Sequence, residues 1–181
     1  RDAMNIEGLS EMTLEKFVDD GLIREPADLF RMEPLRGKIT TMEGFGKKSF
    51  ENLLASAERA RHTTVQRFLY SLGIPNIGTA NARLIARFCK NKWARVESLT
   101  KEELLSIDGI GEIMADAFLA FFADTDKRKM VDDLLKEVHL DESFEEQGTA
   151  LAGKTFVITG SLAHYENREV LKAEIEKAGG K

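Results

Sequence analysis

Met42-Glu43-Gly44-Phe45-Gly46-Lys47-Lys48-Ser49 carries a small-apolar-small triplet around which the chain is organised. Its pattern returns at Ile107-Asp108-Gly109-Ile110-Gly111-Glu112. Altered copies stand at Ile74-Pro75-Asn76-Ile77-Gly78-Thr79 and Ile6-Glu7-Gly8-Leu9-Ser10-Glu11. Each copy gives an apolar residue, any residue, Gly or Asn, a second apolar residue, then Gly or Ser. The closing positions Ser10, Gly46, Gly78 and Gly111 fall roughly 32–36 residues apart, the spacing of an internal repeat.

The pattern reads as a tight turn between two helices. Gly and Asn adopt positive φ at low cost. The apolar residue between the small ones points inward and anchors the turn. The second small residue starts a helix whose first amides have no intrahelical partner. Those amides, at the positive end of the helix dipole, form an anion site. A missing side chain lets a phosphate approach the backbone. The plainer reading is an αα-hairpin with a glycine cap. Four copies at one period count against it, because packing alone does not demand the same small-apolar-small triplet each time.

The 181 residues are 43% hydrophobic and 31% charged, which suits one or two domains with a real core. Net charge is −5, so bulk charge does not attract nucleic acid, and any such contact rests on local amides and local Lys or Arg. The one cysteine, Cys89, cannot form an internal disulfide or a cysteine-type zinc site. Its apolar surroundings, Leu84 to Phe88, read as those of a buried thiol in a reducing cytoplasm. No apolar run approaches the ~20 residues of a membrane span, and Arg1-Asp2-Ala3-Met4 is not a signal peptide. A start without Met is expected of a fragment.

Helices are expected at about 12–20, from Pro26 through Phe30, at about 47–61, 65–72, 80–89, from the Thr100 capping box, and at about 112–123 and 126–137. Pro34 and Gly37 are expected to break the chain. Phe50, Leu53, Leu54 and Ala57 form one buried face; Ile113, Ala117, Phe118 and Phe121 form another. Trp93 reads as core rather than as a stacking platform. Lys47 and Lys48 stand beside the second turn as phosphate ligands or as a solvated pair. Arg83 and Arg87, one turn apart, either reach backbone phosphates or form a solvated stripe. The acidic stretch 141–150 reads as a linker after a helical domain at 1–140. Lys154 through Thr159 then reads as a buried strand, and Asn167 to Ala178 as a helix with Val170, Leu171 and Ile175 on one face. One strand and one helix bury no core alone, so 151–181 reads as the start of a larger domain.

The repeated turn resembles the helix-hairpin-helix motif, which binds DNA backbone without sequence preference. Gly44-Phe45-Gly46 and Gly109-Ile110-Gly111 match fully; Asn76-Ile77-Gly78 lacks the first Gly and Gly8-Leu9-Ser10 the second. Arg67-Phe68-Leu69-Tyr70-Ser71-Leu72-Gly73-Ile74 and Pro26-Ala27-Asp28-Leu29-Phe30 look like the bacterial NAD-dependent DNA ligase. Residues 154–180, with Thr159-Gly160 and Gly179-Gly180, are similar to the start of a BRCT domain. The resemblance covers essentially the whole chain. It implies a mainly α fold of four tandem helix-hairpin-helix motifs, then a truncated α/β BRCT-like segment at 151–181.

The resemblance further implies a parent enzyme that seals 3′-OH/5′-phosphate nicks in duplex DNA in replication and repair, using NAD, magnesium and zinc. The family's Lys-x-Asp-Gly motif and zinc cysteines do not occur here, so this segment is expected to hold no catalytic residue, metal or cofactor. It is expected to grip nicked double-stranded DNA on the minor-groove side, as a cytoplasmic, nucleoid-associated monomer that does not touch membranes. The implied backbone-binding residues are Gly8, Gly44, Gly46, Lys47, Lys48, Gly78, Thr79, Arg83, Gly109 and Gly111. Thr159, Gly160 and Arg168 match a phosphate site of some BRCT domains; the alternative is a strand end and a surface arginine. A repair-nuclease module and a protein-interaction scaffold are the competing functions. The stretch from Leu151 argues against the first, and the acidic net charge keeps the second open.

Overall fold

The computed structural model describes residues 3–4, 6–144, 151, 153–159 and 167–180. Contacts divide the chain into two units, Arg1–Ser143 and Phe144–Lys181. The first is mainly helical. Its elements are α1 (Glu11–Asp19), 3₁₀ turns at Pro26–Phe30 and Glu33–Leu35, α2 (Arg36–Ile39), α3 (Lys47–Ala60), β1 (His62–Thr64), α4 (Val65–Ser71), α5 (Thr79–Phe88), α6 (Trp93–Glu97), α7 (Lys101–Ser106), α8 (Glu112–Ala123), α9 (Thr125–Leu135) and β2 (His139–Asp141).

Local chemistry starts the helices where the sequence reading places them. The Ser10 hydroxyl accepts from Thr13 N, and Thr64 from Arg67 N. Thr100 and Glu103 close a reciprocal capping box. Asp124 accepts from the amides of Asp126 and Lys127. Each such cap satisfies amides that a helix start leaves open. Pro26–Phe30 is tighter than an α-helix, although Pro26 does stand in the first turn. Pro34 and Gly37 do not break the chain: Pro34 lies in a 3₁₀ turn and Gly37 inside α2. Proline is tolerated in a first turn, where its missing N–H costs nothing.

One apolar cluster runs through the first unit. Phe17, Phe50, Phe68 and Phe118 are among its largest fully buried side chains. Trp93 belongs to it, edge-on to Phe68 at 4.9 Å and tilted against Phe122 at 6.2 Å. On α8 the buried set is Ala115, Phe118, Phe121 and Phe122, while Ala117 is half-buried. Ile113, expected in the core, is 75% exposed. The helix is apolar nearly all round, so periodicity does not single out its inner face; its packing against α7 and α9 does.

The two-stranded parallel sheet is absent from the sequence reading. It pairs His62 with His139, Thr63 with Leu140 and Thr64 with Asp141. Asp141, Glu142 and Ser143, expected in a linker, are therefore engaged. Trp93 N donates to Glu142 Oε1 at 2.7 Å, and Asn91 Nδ2 to Ser143 O at 2.7 Å. Glu142 closes the start of α6 from 49 residues away. The rest of the expected linker, 145–150, lies outside the described residues.

In the second unit, α10 (Arg168–Lys177) starts at Asn167, whose side chain accepts from Val170 N. Leu171 and Ile175 are half-buried, while Val170 is exposed. The expected buried strand at 154–159 is not formed among the described residues: Phe156 is 39% and Val157 84% exposed. A strand exists by pairing, and β-branched residues alone do not supply a partner. Phe156 and Ile175 still close over Gly180, where an added Cβ would stand 2.9 Å and 2.7 Å from their side chains.

Candidate nucleic-acid interface

The same turn geometry is built at all four repeats. Gly8, Gly44, Asn76 and Gly109 have φ of 80°, 81°, 64° and 93°. In the later three turns the amide of Phe45, Ile77 or Ile110 donates to the carbonyl three residues back, Met42, Ile74 or Ile107. A positive φ at the third position of such a turn is where Gly and Asn are favoured. The apolar residue that follows is inside: Leu9, Ile77 and Ile110 are buried and Phe45 is packed against the core. The next residue, Ser10, Gly46, Gly78 or Gly111, is extended and caps a helix. Its carbonyl accepts the first intrahelical bond in every copy, from Leu14, Phe50, Ala82 and Ala115.

The turns also sit close to one another within each half. Phe17 of α1 meets Phe45 of turn two edge-on at 5.5 Å, and Lys16 Nζ donates to Glu43 O at 3.1 Å. Glu7 N of turn one donates to Ser56 Oγ on α3 at 2.6 Å. In the other half, an added Cβ on Gly109 would stand 3.2 Å from Leu84 Cδ1 on α5.

Every expected backbone-binding residue is exposed: Gly8, Gly44, Gly46, Lys47, Lys48, Gly78, Thr79, Arg83, Gly109 and Gly111. At the capping glycines Gly46, Gly78 and Gly111, φ lies between −83° and −97°, which any residue adopts. A Cβ there would meet nothing within 4 Å among the described residues. Neither backbone conformation nor packing among the described residues requires glycine at these three positions.

The helix starts differ in charge in a way the repeat pattern conceals. α3 opens on Lys47 and Lys48, with no acid in its first turn; α5 opens on Thr79, also without acid. Cations at a helix N-terminus oppose the dipole, an arrangement that an anion placed there would relieve. α1 and α8 instead open on Glu11 and Glu112, carboxylates that already complement the dipole. The Ser10 hydroxyl also occupies the Thr13 amide at 3.0 Å. The anion seats are therefore most open at Gly46 and Gly78. Glu11 and Glu112 were legible in the sequence, each directly after the small residue.

The second expected phosphate site is only partly described. Thr159 and Arg168 are exposed, and Gly160 lies outside the described residues.

Comparison with known proteins bears on the same turns. Residues 67–131, which hold turns three and four, match a family model described as a helix-hairpin-helix motif. Over its whole length the chain is 49% identical to a DNA ligase of Ruminiclostridium cellulolyticum. The chain is homologous to a segment of DNA ligases. It is 47% identical to the DNA ligase of Lachnoclostridium phytofermentans and 39% to that of Fusobacterium nucleatum, again over its whole length. It spans only 27% to 28% of the length of these ligases. Among the described residues, no helix is long and apolar enough to cross a membrane.

Proposed function

We propose that this segment grips the DNA backbone for an NAD-dependent DNA ligase, acting from the minor-groove side without reading sequence. The observation that carries the reading is the trio Gly46, Gly78 and Gly111. Each caps a helix, each is exposed, and none is required to be glycine by φ or by a neighbour. A group arriving from outside accounts for the missing side chains. Free amides at a positive helix end select an anion, and a phosphodiester fits. Such contacts position a protein on a duplex but carry no base information, which suits an enzyme that meets nicks in any sequence. In this reading all four turns are helix-hairpin-helix motifs, with turns two and three taking most of the phosphate contact.

The parent enzyme would seal 3′-OH/5′-phosphate nicks in replication and repair, with NAD, magnesium and zinc serving parts other than this one. The segment would act as a cytoplasmic, nucleoid-associated monomer, and 151–181 would begin a BRCT domain. Fluorescence anisotropy of a labelled nicked duplex over a salt series tests the reading. The slope of log K against log salt is about −0.9 per phosphate neutralised, so several contacts give a steep slope. Binding that is steep and indifferent to sequence is expected. No binding at low salt would overturn it.

A further inference from the structure

Where α3 hands over to β1 and α4, an open pocket of about 370 Å³ is lined by Arg59, His62, Thr63, Thr64 and Arg67, with Met4. Among the described residues no carboxylate lines it, although Asp and Glu number 31 in this chain against 26 Lys and Arg. A concave site lined by cations in an acidic protein is a local inversion of charge. Two acids stand at its border: Asp141, the strand partner of Thr64, and Glu7, whose Oε2 stands 3.4 Å from Arg59 Nη2 between two mostly exposed side chains. Pairs of that kind hold little energy and leave the other guanidinium N–H groups open. The Arg67 side chain has no hydrogen-bond partner among the described residues.

Hydroxyls complete the lining. Thr64 Oγ1 accepts from Arg67 N at 3.2 Å and so keeps its own proton to give. Thr63 is 7% exposed and its Oγ1 is closed off from solvent with no partner among the described residues, so it backs the pocket rather than opening into it. The His62 ring is held by stacking on His139, centroids 5.1 Å apart. We infer that this pocket is an anion site that takes a phosphate group, presented by a nucleic-acid backbone or by a small phosphoryl compound. Two guanidinium forks and the Thr64 hydroxyl offer more donors than the two oxygens of a carboxylate accept, whereas a phosphate has the oxygens to match them. The site borders turn one through the Glu7–Arg59 pair, but none of its lining residues belongs to the four turns, and the inference needs no phosphate at them.

The test is a titration of inorganic phosphate into the whole chain at fixed ionic strength, read from the NMR signals of Arg59 Nε–Hε, Arg67 Nε–Hε and the His62 ring. Saturable shifts at these groups are expected, abolished by Arg67→Gln and weakened by Arg59→Gln, with both variants melting as the parent does. The source of the phosphate is read from duplex binding by Arg59→Gln/Arg67→Gln. A salt slope lowered by about 2 would assign nucleic acid. An unchanged slope beside saturable phosphate binding would assign a small phosphoryl compound. Phosphate shifts that never saturate, together with an unchanged slope, would overturn the site.

Discussion

The Arg61 guanidinium donates to the Glu137 side chain and main chain at once, Nη1 reaching Oε2 and the carbonyl oxygen at 2.8 Å each. Nη2 donates to Phe30 O at 2.5 Å, and the guanidinium lies 5.3 Å from the Phe30 ring centroid. Arg31 pairs with the other oxygen of Glu137. This latch joins the end of α3, the first 3₁₀ turn and the chain beyond α9. It stands next to the β1–β2 pairing, where His139 N donates to Arg61 O at 2.7 Å. Arg61 and Glu137 are largely buried, with side chains 20% and 16% exposed. Arg61→Ala is expected to cost about 2–4 kcal/mol, because Glu137 and two carbonyls lose a charged donor. Urea melts of Arg61→Ala, Glu137→Gln and the double variant measure the coupling. Additive losses would refute the latch.

The same pair sets an acid limit. Hydrogen bonds from Arg61, then from Arg31, hold the Glu137 carboxyl below its ordinary value despite partial burial. A carboxyl lowered on folding stabilises the fold above its unfolded pKa, about 4.3, and that contribution is lost as pH falls through the folded value. The melting temperature of the parent is expected to drop more steeply below pH 4.3 than that of Glu137→Gln. Parallel curves would contradict this.

Gly46→Asp and Gly111→Asp separate binding from folding. An aspartate is a good helix N-cap, a few tenths of a kcal/mol better than glycine, and the space is open, so melting is expected to hold or rise. A carboxylate in a phosphate seat is expected to weaken duplex binding on the order of tenfold at low salt. The loss should be larger for Gly46, because Glu112 already sits at the α8 start. Gly44→Ala behaves in the opposite sense, costing about 1 kcal/mol of stability at φ 81°. Unchanged affinity in both aspartate variants would remove the turns from the DNA interface.

Ile113→Lys is expected to fold like the parent, since the side chain is 75% exposed. It places a cation on the second residue of α8, the position Lys48 holds on α3. If turn four faces DNA, the salt slope steepens by about 0.9. A destabilised fold would contradict the observed exposure.

Cys89 is fully buried, and burial raises its thiol to about 11. Its thiolate is the reactive form and is scarce at pH 8. Modification by a thiol reagent is therefore expected to follow the rate of opening of the fold. Fast labelling of the native chain would contradict that.

The sequence determined by itself what short segments determine. Gly8, Gly44, Asn76 and Gly109 mark the turns because positive φ is a property of one residue. Thr64 and Thr100 mark helix starts because a cap reaches only three residues ahead. Gly46, Gly78 and Gly111 are equally local, each standing two residues after the positive-φ position and opening a helix. Tertiary structure decided everything whose partner is far along the chain. Arg61 and Glu137 are 76 residues apart, and His62 finds His139 across a similar distance. No local spacing encodes such meetings, so the sheet, the latch and Glu142 under α6 were not legible. Ile113 shows the reverse case. Its apolar character predicted burial, but which side of an almost wholly apolar helix faces inward is chosen by its neighbours, α7 and α9. Lys154 to Thr159 makes the same point for strands, since β-branched residues describe a surface that fits a sheet and only a paired neighbour makes one.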